Sequence, residues 1–318
     1  MKKTAIHLTA LAALFTGVAA HAQSSVTLYG RVNTTVEYED VDGTSGSTTG
    51  LKSSGSFIGF KGTEDLGNGL TASFVLEREV DATTGASTGF ERETHVALSG
   101  GFGTVKLGNY NSTAYTYTAD WISLHNHDVG SSADKLFAYP VTNTSKIGYR
   151  TPSLGGLVLE VGYGFEDNHG NDSPYDLSAT YQAGALDLGF GFAKWNDWEA
   201  YTLRALYTTG PFTLGGYVQY DDDSEISTRY GDRFSARLAG AYTVGNSEFH
   251  LNVGWADDYE NLSDSGAVQY TLAYNYNLSK RTKLYGFYTG LESDNGAVYG
   301  NNPGKDSSTI AVGIRHLF

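Results

Sequence analysis

From Ser25 onward, apolar and polar residues alternate along short segments with the period of an extended strand. In the first segment Val26, Leu28, Gly30, Val32 and Val36 alternate with Thr27, Tyr29, Arg31, Asn33 and Glu37. One face suits an apolar medium and the other water. Similar segments lie near 53–64, 69–81, 90–99, 103–109, 143–151, 157–165 and 175–183. The pattern continues near 186–194, 198–208, 212–221, 230–243, 248–256, 266–276, 282–291 and 307–318. No stretch carries a helical period. The connectors alternate between two kinds. Short ones are built from turn residues, such as Gly184-Ala185, Thr209-Gly210-Pro211 and Gly245-Asn246-Ser247. Longer ones are acidic or rich in Gly and Ser, such as 40–52, 110–142, 222–229 and 292–306. Seven short turns and eight long loops join sixteen strands. That asymmetry is expected of an antiparallel transmembrane β-barrel with short periplasmic turns and long outer loops. Sixteen strands enclose an aqueous lumen, whereas eight would be filled by side chains.

Composition refines this picture. With 40 Gly, 23 Tyr and 15 Phe but 5 Pro, the chain suits sheet joined by tight turns. Cys is absent, which excludes disulfides and thiolate chemistry. The formal charge of −14 argues against a nucleic-acid partner, which would need clustered Lys and Arg. Lys2 and Lys3, the apolar run Ala5 to Ala20, and Ala20-His21-Ala22 read as a secretory signal covering 1–22, with Gln23 as the mature N-terminus. Residues 23–318 then form a single domain. The C-terminal strand ends on Phe318, where an aromatic girdle of a membrane barrel would lie.

Several local motifs carry a resemblance. They are Ser25-Val26-Thr27-Leu28-Tyr29-Gly30, Ile58-Gly59-Phe60-Lys61-Gly62-Thr63-Glu64-Asp65-Leu66-Gly67-Asn68-Gly69-Leu70, Leu98-Ser99-Gly100-Gly101-Phe102-Gly103-Thr104-Val105, and the closing Gly313-Ile314-Arg315-His316-Leu317-Phe318. In this order they resemble the general bacterial outer-membrane porins, particularly the betaproteobacterial group. The resemblance implies a homotrimer of barrels with the third outer loop folded into each pore. It also implies a terminal Phe that the barrel assembly machinery recognises.

The connector 110–142 occupies that third-loop position. Tyr115, Tyr117, Trp121, Leu124 and Phe137 could hold it against a wall, with Tyr115 and Tyr117 expected at the constriction. Asp120, Asp128 and Asp134 are the candidates for the negative side of that constriction. Opposing charges are expected from Arg31, Lys61, Arg92, Lys106 and Lys146, because a charge turned toward lipid costs about 2–4 kcal/mol near the midplane. By phase, Arg204, Arg233 and Arg237 fall in the other half of the lumen. Some departures thin the positive ladder relative to the family pattern. Phe57 stands where many members carry Arg, Gly108-Asn109 replaces a Gly-Arg pair, and Pro140, Val141 and Thr142 replace a basic residue. With these gaps and the acidic rim, the sequence predicts a weak lean toward cations at low salt.

Two acid clusters, Asp221-Asp222-Asp223-Ser224-Glu225 and Asp257-Asp258-Tyr259-Glu260, suit Ca²⁺ or Mg²⁺ bridging to lipopolysaccharide, or simply a solvated rim. His125-Asn126-His127-Asp128 lacks the spacing of a metal motif and reads as pore lining. No cofactor and no catalysis are expected. The function that fits is a passive channel for small hydrophilic solutes and ions, embedded in outer-membrane lipid. A substrate-specific channel for an organic acid or sugar on the same barrel stays open. An outer-membrane hydrolase and a soluble secreted β-protein are more distant alternatives.

Overall fold

A computed structural model describes residues 25–318 apart from 45, 127, 167–171 and 224–229. The signal segment, Gln23, His127, Ser224, Glu225 and the side chain of Asp223 lie outside the described residues. The strands are β1 (Ser25–Val41), β2 (Thr48–Ser53), β3 (Phe57–Gly67), β4 (Leu70–Glu79), β5 (Thr94–Gly100), β6 (Gly103–Tyr110), β7 (Thr144–Arg150) and β8 (Leu157–Tyr163). They continue as β9 (Tyr175–Ala183), β10 (Leu186–Trp195), β11 (Trp198–Thr209), β12 (Phe212–Asp223), β13 (Gly231–Val244), β14 (Ser247–Ala256), β15 (Ala267–Asn277), β16 (Thr282–Ser293) and β17 (Ser307–Leu317). Each pairs antiparallel with its sequence neighbours, except that β2 and β3 both pair with β1. These two are halves of one stave, broken at Ser54-Gly55-Ser56, so the barrel has the expected sixteen staves. The 40–52 connector is therefore shorter than the sequence suggested, since 48–53 is strand.

Closure comes from β1 and β17, which pair from Arg31↔Leu317 through Val41↔Ser307. Every ladder then meets another, and no open edge is left in a medium that cannot hydrogen-bond it. Alternation follows the sequence reading. Val26, Leu28, Val32 and Val36 are exposed on the outer wall, while Asn33, Thr35 and Glu37 are buried inside. The same phase puts Leu251, Val253 and Trp255 outside and His250 and Asn252 inside.

Phe318 clasps the seam. Its N–H donates to the Gly30 carbonyl at 3.1 Å, and the Gly30 N–H donates to the Phe318 carbonyl at 3.1 Å. Its ring lies over Gly30, where an added Cβ would come within 2.5 Å of Phe318 Cζ. Gly30 is thus the seat for the terminal ring. Replacing it with Leu, or Phe318 with Asp, should reduce the folded, heat-modifiable barrel recovered from membranes. Gel mobility of unboiled samples reads this directly, and Gly30→Leu at normal yield would show that the ring seat does not matter.

Candidate functional site

The connector between β6 and β7, residues 111–143, turns into the barrel. It carries a short helix, α1 (Thr113–Thr116), and one 3-10 turn over Asp120–Ile122. Wall residues on β10 are small to admit it. A Cβ at Gly189 would lie 2.5 Å from the Tyr117 carbonyl, and one at Gly191 would lie 2.7 Å from the Ala114 carbonyl. Ala119, Ile122 and Phe137 pack with the buried Tyr217 of β12, and Tyr115 and Tyr139 close over them. Ala114 and Val141 pack against Ala193 of β10. This apolar underside is what the aromatic content of the segment promised, with one exception: Trp121 is 45% exposed.

Polar anchors complete the attachment. Gln219 exchanges both of its amide groups with the Ala138 backbone, at 2.7 and 3.1 Å. Gln269 accepts from the Lys135 N–H at 3.0 Å and donates to the Ala133 carbonyl at 2.8 Å. Farther along, His125 Nδ1 lies 3.0 Å from Asn275 Oδ1, and Arg315 donates to Asn126 Oδ1 at 2.7 Å.

Asp134 belongs with these anchors. It was expected at the constriction, but its carboxylate accepts from Arg237 Nη2 at 2.6 Å and from the Tyr217 hydroxyl at 2.6 Å. It also caps the N–H groups of Leu136 and Phe137 at 2.9 and 3.3 Å. Its charge is spent on holding the loop. Lys146 needs the same correction. Its side chain is wholly buried, paired with Asp176, and it donates to the Asn111 carbonyl at 3.1 Å. It supports the loop from beneath instead of lining the pore. Tyr115 is likewise part of the aromatic underside, although its hydroxyl reaches Asp120 at 3.4 Å.

Of the remaining candidates, Arg31 and Asp128 meet directly. Arg31 Nη1 sits 3.6 Å from Asp128 Oδ2, and its Nε donates to the Gly55 carbonyl at 2.8 Å. Gly55 makes this approach possible. At φ +66° it breaks the second stave, and a Cβ there would lie 2.6 Å from both Arg31 and Val129. Phe57, read from sequence as a gap, is a platform: the guanidinium of Arg31 lies 5.4 Å from its ring centre and that of Arg92 4.9 Å. Arg92 also pairs with Glu77 at 3.4 Å. Lys61 stands 4.6 Å over the Tyr29 ring, and Lys106 stands 4.4 Å over the Tyr110 ring and 3.8 Å from Glu160. Tyr117 donates to Glu160 at 3.1 Å and accepts from Arg150. Asp120 lies within the loop, and burial together with the nearby charge of Asp128 pushes its pKa up to about 6. It therefore loses its charge in mild acid.

Sequence reasoning missed Arg150, Lys283 and Arg315, although each is in inward phase with its strand. Among the described residues, Lys61, Lys283 and Arg315 have no carboxylate within 4 Å. The outer-rim acids divide. Asp221 is buried on Arg233 at 2.9 Å and is not available to a rim cation. Asp258 accepts from the N–H groups of Ser265 and Gly266 at 2.7 and 2.6 Å, while Asp257 is exposed. Asp222 pairs across the sheet with Glu199 and Asp232. No group of three or more potential metal ligands occurs among the described residues.

Removing the Asp134 carboxylate would leave the Arg237 charge buried without its partner, a change costing about 3–5 kcal/mol in buried pairs. In Asp134→Ala the barrel should persist while loop three becomes open to protease, giving a cut between 111 and 143 in assembled protein. Equal protection of variant and parent would mean that the pair does not hold the loop.

Comparison with known proteins agrees with this geometry. Residues 8–296 match the family model described as Gram-negative porin. Outer membrane porin protein 32 of Delftia acidovorans is 34% identical over 364 residues, covering all of both chains. Major outer membrane protein P.IB of Neisseria lactamica is 31% identical over 359 residues, again covering all of both. Among solved structures, an anion-selective porin from Comamonas acidovorans superposes with a TM-score of 0.77 at 31% identity, covering 93% of this chain and all of that one. With its closed sixteen-stave barrel and inward third loop, the chain belongs to the Gram-negative porin family, multi-pass β-barrels of the outer membrane.

Proposed function

We propose that this porin is a water-filled channel for passive diffusion of small hydrophilic solutes and ions, that it works as a homotrimer, and that it catalyses no reaction. The observation carrying this reading is the loop anchored inside the lumen, with its Asp128 meeting Arg31 and with Lys61, Arg92 and Lys106 resting on rings of the wall. Facing charges of opposite sign orient polar solutes and disfavour apolar ones, which sets selectivity without chemistry. The balance at this level differs from the one read in sequence. Asp134 leaves the negative side, Phe57 steadies two arginines, and Lys283 and Arg315 join the cations. The narrow section therefore favours anions, and the acidic outer loops oppose it only while salt is low. The Comamonas acidovorans relative, whose name describes it as anion-selective, points the same way.

The outer wall supports the trimer. Tyr and Trp settle at membrane–water interfaces. Tyr149, Tyr163, Tyr181, Tyr201, Tyr207, Tyr220 and Trp255 supply such rings on β7 to β14. From β17 through β1 to β6 the outward positions are mostly aliphatic, with Ile310, Val312, Val32, Val96, Leu98 and Leu107 among them, and the exposed rings there are Tyr38 and the phenylalanines Phe60, Phe102 and Phe318. A face poor in Tyr and Trp suits contact with a second and third copy. Phe318, seated on Gly30 at the seam, suits recognition by the barrel assembly machinery, and Asp257 offers an exposed acid for a divalent bridge to lipopolysaccharide.

Planar bilayers should register stepwise conductance proportional to salt, with closures in threes. Absence of steps from folded protein would refute the channel. Val96→Trp should weaken the SDS-resistant trimer, whereas Leu238→Trp on the girdled face should not. Equal behaviour of the two variants would place the interface elsewhere.

A further inference from the structure

We propose that the cavity beneath loop three, at the periplasmic end of the lumen, binds small aromatic carboxylates of the benzoate class; this rests on the channel reading. The cavity measures about 510 Å³ and lies among Tyr117, Trp121, Arg150, Gln182, Asp187 and Arg204. That volume falls in the range of sites that take small organic ligands. Ser153, Gly156 and Gly184 also border it and come from the short turns, which places it at the exit of the pore.

Two features set the ligand class. The first is an open ring. Trp121 keeps 45% of its surface exposed, whereas Ala119, Ile122 and Phe137 of the same loop pack against the wall. The Arg204 guanidinium lies 5.0 Å from the centre of the indole, and the Tyr117 ring flanks it at 6.4 Å with a tilt of 38°. An aromatic solute would find here a ring to stack on, already polarised by a cation.

The second is an uncommitted guanidinium edge. Arg150 has five N–H donors, and among the described residues only those on Nη1 are engaged, by Tyr117 and by Glu160 at 3.0 Å. The side chain is 37% exposed. Its ring partner is Tyr117, 4.9 Å away, which keeps the guanidinium beside the indole's neighbour. A planar fork of this kind matches a carboxylate. Charge agrees with a single negative ligand. Arg150, Arg204 and Lys106 stand against Glu160 and Asp187, and Arg204 already pairs with the Asp187 carboxylate at 2.8 Å and donates to the Tyr117 carbonyl at 2.7 Å. One carboxylate would balance the cluster. Thr180 and Gln182 of β9 also line the cavity and offer partners to a ring hydroxyl.

The test compares benzoate with cyclohexanecarboxylate, which has the same charge and similar size but no π-face. Each is added at constant ionic strength to one side of a bilayer holding the full-length mature protein. Benzoate should interrupt the current at about fivefold lower concentration than the saturated acid, the factor expected of one aromatic contact. The effect should be stronger from the short-turn side. Trp121→Ala should erase the difference between the two acids, and Arg150→Gln should weaken the block by both. Equal block by the two acids in the parent protein overturns the inference while leaving the channel intact. So does a benzoate preference that survives in Trp121→Ala. If Trp121→Ala fails to assemble, the comparison in the parent decides alone. Absence of any conductance step overturns the channel reading and this site with it.

Discussion

Pairing of the first strand with the last is the constraint on which the rest depends. Once β1 and β17 are joined from Arg31↔Leu317 to Val41↔Ser307, the sheet has no free edge strand among the described residues, and wall side chains point either to lipid or to an enclosed lumen. Charges have only one direction left to turn. Arg31, Lys61, Lys106, Arg204, Arg233 and Arg237 all point inward, and the field inside the barrel is a consequence of its closure.

Confined to one compartment, these charges do two different jobs. Lys146 with Asp176, Arg204 with Asp187, Arg233 with Asp221 and Arg237 with Asp134 are ion pairs in which at least one partner is fully screened from water. Such pairs fix geometry more than they stabilise, because desolvation offsets most of their attraction. They hold the third loop and its wall. Arg31, Arg92, Lys61 and Lys106 keep part of their surface in the lumen and rest on aromatic rings. A ring face steadies a cation without neutralising it. Arg31, Arg92 and Lys106 also approach a carboxylate, so exposure is what separates the two groups: selectivity belongs to cations still open to the lumen, and architecture to cations buried with their carboxylates.

Strand content and the inward phase of Arg31, Lys61 and Lys106 were legible in the sequence, because a period of two is a local property. The connector at 195–197, read as a longer loop, is a two-residue turn, and Arg92 lies just before β5 instead of on a strand. The inward third loop was legible only through its length, its aromatics and the resemblance. Pairing across the lumen was not legible. Asp134 meets Arg237 across 103 positions and Lys146 meets Asp176 across 30, so neither Asp134 nor Lys146 could be recognised as an anchor from alternation alone. Phe57 misled for a related reason. Read alone it is a missing charge, and only its neighbours Arg31 and Arg92 turn it into their support. Arg150, Lys283 and Arg315 satisfied the phase rule and needed only to be counted.

The reversal potential across a KCl gradient, measured at several mean salt concentrations, bears most directly on the claim that the lumen-exposed cations govern the pore. At about 1 M salt, where screening reaches only about 3 Å, the outer acids cannot act over distance and the narrow section alone decides. Wild type should then prefer anions, and the preference should weaken as salt falls toward about 0.01 M and the rim is felt. Asp120→Asn combined with Asp128→Asn should move the potential further toward anions. A wild type selective for cations at high salt, or a double variant with an unchanged potential, would contradict the account.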